Sequence, residues 1–141
     1  MIDENEVDIA LTADGDLDLL EYETETCDVN MVEKLEYIKQ QVIVRVKTMN
    51  PDWFYDTIGS DLEELLGKVN SLKTAQLGIS KLRNCLTYDE FLSNDDIYIK
   101  PVPTDYDTVA YFIFVKTTFT EEPVAFVVNI ALSAGINIEE V

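Results

Sequence analysis

Thr108-Val109-Ala110-Tyr111-Phe112-Ile113-Phe114-Val115 and Val124-Ala125-Phe126-Val127-Val128-Asn129-Ile130 are two dense runs of β-branched and aromatic residues. Such side chains suit a pleated, packed surface. Glu121-Glu122-Pro123 between the runs supplies a turn. The spacing predicts a long antiparallel hairpin with strands over 107–118 and 123–132. Its hydrophobicity is nearly continuous rather than alternating, which is the pattern of strands covered on both faces. Upstream, Ile97 and Ile99 alternate with polar neighbours until Pro101 and Pro103 interrupt, giving a strand over 96–103. Downstream, Gly135-Ile136-Asn137-Ile138 gives a last strand over 135–139. Cover on both faces asks for more than two or three helices provide, and an exposed apolar strand edge aggregates unless a partner covers it.

The segment before the sheet reads as helical. Ser71 stands where it would cap a long helix, whose Ala75, Ile79, Leu82 and Leu86 recur at intervals of four, three and four. Gly78 weakens that helix by ~1 kcal/mol relative to Ala and marks a close packing contact. Ser60 and Glu63 have capping-box spacing for a short helix that Gly67 would end, with Leu62, Leu65 and Leu66 inward. Asn30 and Glu33 have the same spacing for a first long helix, whose stripe is Leu35, Ile38, Val42, Val46 and Met49. It should end near Thr48, because Pro51 disfavours a helical residue before it. Val7, Ile9 and Leu11 alternate with Asp8, Ala10 and Thr12, Asp14-Gly15 is a turn signal, and Leu17 and Leu19 alternate with Asp16 and Asp18, predicting a hairpin over 7–22. The expected class is α+β: an N-terminal β-hairpin, two long helices plus one short helix, and C-terminal antiparallel strands. The chain is expected to form one domain, 1–141, with an acidic arm over about 1–6, a region 7–100 and a β region 96–141.

Composition bounds the function. The chain has 141 residues, 47% of them hydrophobic, and a formal net charge of -18. Residues 1–33 carry twelve acids and no base, 34–83 six acids and eight bases, and 84–141 ten acids and two bases. Neutralising phosphates needs clustered bases, so nucleic acid is not an expected partner, whereas basic protein surfaces are. No apolar run approaches the ~20 residues of a membrane span. Met1 to Glu6 lack the basic and apolar regions of a secretory signal, and Cys27 and Cys85 lack CxxC spacing, so a reduced protein made inside the cell is expected.

The chain has no histidine, which removes Ser-His and Cys-His nucleophile pairs and most zinc and iron sites. There is no Gly-rich phosphate loop. Asp14, Asp16, Asp18 and Glu25 fall on positions one, three, five and twelve of a calcium loop, but Leu19 stands where that loop needs Gly, so a solvated hairpin face is expected instead. Asp52 or Asp56, beside aromatics, could have a raised pKa by desolvation, but an acid there more often caps a turn. With 28 acids, a pair at glycosidase spacing arises by chance. No catalytic residue, metal or cofactor is expected.

Between the two long helices lies Trp53-Phe54-Tyr55-Asp56-Thr57-Ile58-Gly59-Ser60-Asp61-Leu62, with the only Trp of the chain. It reads as a loop pinned to the core at a helix corner. With the Asp14-Gly15-Asp16 turn before it, this segment resembles the baseplate wedge protein, or sheath initiator, family of contractile phage tails, once labelled lysozyme-like. The likeness covers roughly residues 7–100. Its most specific part is Trp53, Phe54, Tyr55, Asp56, Gly59, Ser60, Asp61 and Leu62.

The resemblance implies a structural protein with no catalytic role. Six copies would surround the end of the tail tube, contacting other wedge subunits and tail tube or hub proteins, in a virion baseplate assembled in the host cytoplasm. Strands of its β region would pair with tail sheath subunits of the first ring by β-augmentation. The face of the two dense strands, Tyr111, Ile113, Val115, Phe126, Val128 and Ile130, is the partner interface this expects. Two departures stand out. The family's Glu-Pro-Arg signature is replaced by Thr87-Tyr88-Asp89-Glu90-Phe91, and its Gly-Glu before the aromatic by Asn50-Pro51-Asp52. Another tail-assembly adaptor of the same fold is the alternative, and a cell-wall glycan hydrolase using Asp52 and Asp56 the third.

Overall fold

In chain order the elements are β1 (Val7–Ile9), β2 (Leu19–Glu21), β3 (Cys27–Val29), β4 (Met31–Glu33), α1 (Lys34–Lys47), a 3-10 turn (Leu62–Leu65), α2 (Leu72–Thr87), and the strands β5 (Ile97–Pro103), β6 (Thr108–Val115), β7 (Val124–Ala131) and β8 (Gly135–Glu140). Two single 3-10 turns, Tyr88–Glu90 and Asn94–Asp96, link α2 to β5. This is a computed structural model, and it describes residues 6–21, 27–49 and 58–141.

The four last strands form one antiparallel sheet in the order β5-β6-β7-β8. Register alternates side chains between its two faces. Val109, Tyr111, Ile113 and Val115 of β6, with Phe126, Val128 and Ile130 of β7, are buried in one core. That core also takes Ile38, Val42 and Val46 from α1, Leu82, Cys85 and Leu86 from α2, and Leu62 and Leu65 from the 3-10 turn. Tyr111 sits where α2 has Gly78: a methyl group there would collide with the phenol, whose hydroxyl donates to the Ala75 carbonyl at 3.2 Å.

The expected architecture is corrected in four places, although the structure is α+β with two helices and several antiparallel strands. First, among the described residues the hairpin expected over 7–22 shrinks to a tight turn with no paired strands of its own. Only the isolated bridge between Leu11 and Leu17 closes around Asp14-Gly15, while β1 pairs with β4 and β2 with β3. The reason lies in Ala10, Asp18 and Asn30, which exchange three main-chain hydrogen bonds while the Asn30 amide donates to Asp18 Oδ2 at 2.8 Å. Asn30 is thereby taken from the helix it was expected to cap. Second, α1 begins only at Lys34, after a Glu33 that makes no side-chain cap.

Third, the short helix is a single 3-10 turn, leaving two α-helices. The Ser60 hydroxyl donates to the Val46 carbonyl at 2.6 Å and so closes the end of α1, while its oxygen accepts from Leu62 N at 3.3 Å at the start of the turn. Fourth, the hairpin strands are shorter than 107–118 and 123–132, and among the described residues only one of their faces belongs to the core cluster. Lys116 N bonds Asp96 O one rung past the last pair of β5 and β6, and Thr120 holds the following turn through the Glu122 carbonyl. The outward Phe112, Phe114 and Val127 are half-buried and lie outside the core cluster.

Candidate assembly surface

Trp53, Phe54, Tyr55 and Asp56, with Asp52, lie outside the described residues. The remainder of that motif staples the end of α1. Gly59 packs so closely on Thr48 that a Cβ would strike its carbonyl oxygen. Ser60 N donates to Thr48 O at 2.9 Å, and Leu62 N donates to Ser60 Oγ at 3.3 Å. Asp61 takes a left-handed backbone, φ 53°, which turns the buried Leu62 into the core. These four residues fix a corner.

The side chains expected to meet a partner do not face one. Tyr111, Ile113, Val115, Phe126, Val128 and Ile130 are all fully buried beneath the two helices. Burying that face within the chain is the larger gain, since each such side chain is worth roughly 1.5–3 kcal/mol when removed from water. The inner face is thus closed by this chain's own helices, which leaves the main-chain groups of the sheet edges and the outward face as the open parts of the sheet.

The two edges differ. In β5 the bond from Lys116 N to Asp96 O sets the parity of the ladder, so the main-chain groups of Ile97, Ile99, Pro101 and Pro103 point away from β6. Two of those four outward positions are prolines, which carry no N–H. In β8 the bond from Val141 N to Ala125 O sets the parity, so Ile136, Ile138 and Glu140 point their N–H and C=O groups away from β7. Among the described residues, no strand pairs with that side of β8.

A groove of about 510 Å³ runs beside the end of β8, between α1 and the turn around Gly15. Val32, Ile43, Val44 and Ile138 give it an apolar lining, and Glu139 and Glu140 an acidic margin. Lys39 spans it, bonding Glu36 at 3.1 Å and Glu140 at 2.9 Å. The hydrogen bond to Glu140 is the main reason the Lys39 proton is held more tightly than usual. The sequence hid this edge because alternation marks strands without saying which ends a sheet. The nearest signal was the Pro101, Pro103 pair, which assigns β5 to the blocked edge once the strand order is known.

Catalytic features are weak. Asp14, Asp16 and Asp18 belong to a turn in which Thr12 bonds both the backbone and side chain ways to Asp16, and no group of His, Cys, Asp or Glu among the described residues is placed to hold a metal. The Cys85 thiol is buried and pushed up to about 12 by desolvation, so it is no nucleophile at neutral pH. No helix of the described residues is long and apolar enough to cross a membrane. No family model, curated protein or solved structure matches this chain.

Proposed function

We propose that the chain is a structural baseplate wedge protein of a contractile phage tail, and that it starts sheath assembly by offering the β8 edge to a strand of the first sheath ring. The observation that carries this is the difference between the edges: β5 is blocked by prolines, whereas β8 presents three consecutive outward donor and acceptor sets. The likeness of the Trp53 to Leu62 segment to sheath initiators supports the same role. The proposed part is non-enzymatic and needs no cofactor. Its partners are sheath subunits along β8, with other wedge subunits and tail tube or hub proteins on the remaining surface. Six copies would sit in the virion baseplate after assembly in the host cytoplasm. An acidic margin on the groove favours a partner strand with basic residues.

The test mixes purified protein with the sheath subunit and with baseplate particles that lack this chain. Incorporation into the particles, followed by sheath polymerisation from them, is the expected result. Protein that joins neither would overturn the proposal.

A further inference from the structure

The outward face of the main sheet carries a second surface, which differs from the main-chain edge of β8 although Glu139 of that strand lies on it. Across its middle the register aligns Lys100, Phe112, Val127 and Glu139 in one row, one residue per strand. The next row sets the exposed Tyr98 beside Phe114, their rings 6.1 Å apart. The row is therefore a cation, two apolar side chains and an anion. Phe112, Phe114 and Val127 are half-buried and Tyr98 is exposed, so on a chain of net charge -18 the row is a balanced, partly open apolar strip of the kind that marks interaction sites. Lys100 and Glu139 stand three strand spacings apart, ~14 Å, so they cannot pair within one molecule. Lys100 makes no ion pair among the described residues, and Glu139 accepts only from the Asn137 amide, at 2.7 Å.

We infer that this face docks on the same face of a second copy, about a two-fold axis parallel to the strands. That axis reverses the row, so Lys100 of each copy meets Glu139 of the other, and the Phe112 and Val127 side chains pack between them. The strand directions stay aligned, as in ordinary sheet-on-sheet packing at ~10 Å separation. A two-fold in the perpendicular in-plane direction would set Lys100 on Lys100. Four strands of about six residues offer ~400 Å² of footprint per copy, the low end for specific interfaces, and two acidic chains repel. The dimer is accordingly weak and reversible.

Charge reversal tests it. Sedimentation equilibrium of the full chain at about 0.15 M salt and up to about 1 mM should give a concentration-dependent dimer. Lys100→Glu alone and Glu139→Lys alone should each weaken it at least about tenfold, by setting like charges together. An equimolar mixture of the two variants should recover wild-type association, because each heterodimer contact is again opposite in sign. Both substitutions are at solvent-facing positions, and circular dichroism with an unchanged urea midpoint checks the fold. A wild type that stays monomeric, or a mixture no stronger than its components, would overturn the inference.

Discussion

Tyr111 lays its phenol across the bare Cα of Gly78 and donates its hydroxyl to the carbonyl of Ala75. The contact joins the centre of β6 to the centre of α2, and it explains a glycine inside a helix. In an exposed helix Gly→Ala stabilises by about 1 kcal/mol. Here the methyl group meets the ring, and overpacking of that kind costs about 1–3 kcal/mol. Gly78→Ala should therefore lower the urea midpoint. Adding Tyr111→Phe, which removes the atom nearest the new methyl, should recover part of the loss. A stabilised Gly78→Ala would show that the phenol lies elsewhere.

Arg45 makes the second cross-element contact. It is buried, 8% exposed, donates to Cys85 O at 3.2 Å and Tyr88 O at 2.9 Å, and lies 4.3 Å from the centre of the Phe91 ring. The last turn of α2 has no basic residue of its own, so Arg45 of α1 brings the cation to those carbonyls. Lysine lacks both the planar fork and the stacking surface. Arg45→Lys should cost about 2 kcal/mol, in the range for hydrogen bonds to charged groups. Chemical denaturation within 0.5 kcal/mol of wild type, roughly the scatter of surface substitutions, would remove Arg45 from this role.

Ser60→Ala deletes the hydroxyl that bonds Val46 O at the end of α1. A loss of about 1–2 kcal/mol is expected, with faster hydrogen exchange in the last turn of α1 than in its first. Uniform exchange along the helix would place the staple elsewhere.

Alkaline stability follows from two buried groups. Desolvation pushes both Cys85 and Tyr111 up to about 12, from ordinary values of 9.0 and 10.0. Their folded forms keep protons that the unfolded chain releases. Their contribution is thus complete below pH 9 and is lost as pH rises towards 12. The decline is at most about 1.4 kcal/mol per pH unit for each group. Urea midpoints should fall from pH 9 upward, and Cys85→Ala should flatten the fall between pH 9 and 10. An identical slope in that variant would contradict the assignment.

The helices and strands were legible where periodicity was strong: Leu82 and Leu86 on α2, and the dense runs of β6 and β7. The N-terminal region was misread because its pairing is non-local. β1 finds β4 across more than twenty residues, and nothing in Val7-Asp8-Ile9 says that its partner is Met31-Val32-Glu33 rather than Leu17-Asp18-Leu19. The capping signal failed at Asn30 for a related reason, its side chain being taken by Asp18, whereas Ser60 accepts from Leu62 N but opens only a 3-10 turn, its hydroxyl proton going to Val46 O. For the candidate surface, continuous hydrophobicity singled out β6 and β7, and the fold buries the face it named. Tyr111 and Phe126 turn inward, and the free edge belongs to β8, whose short acidic sequence carries no mark of it.

The most direct test of the assembly role is the affinity of the sheath subunit for wild type and for Ile136→Pro. The N–H of Ile136 points away from β7, so proline there removes an edge donor while sparing the ladder, as Pro101 and Pro103 do on β5. Wild type should bind, and Ile136→Pro, folded by circular dichroism, should bind at least about tenfold more weakly, the loss of roughly one edge hydrogen bond in a desolvated ladder. Equal binding by the two proteins, or none by wild type, would contradict a sheath-nucleating β8 edge.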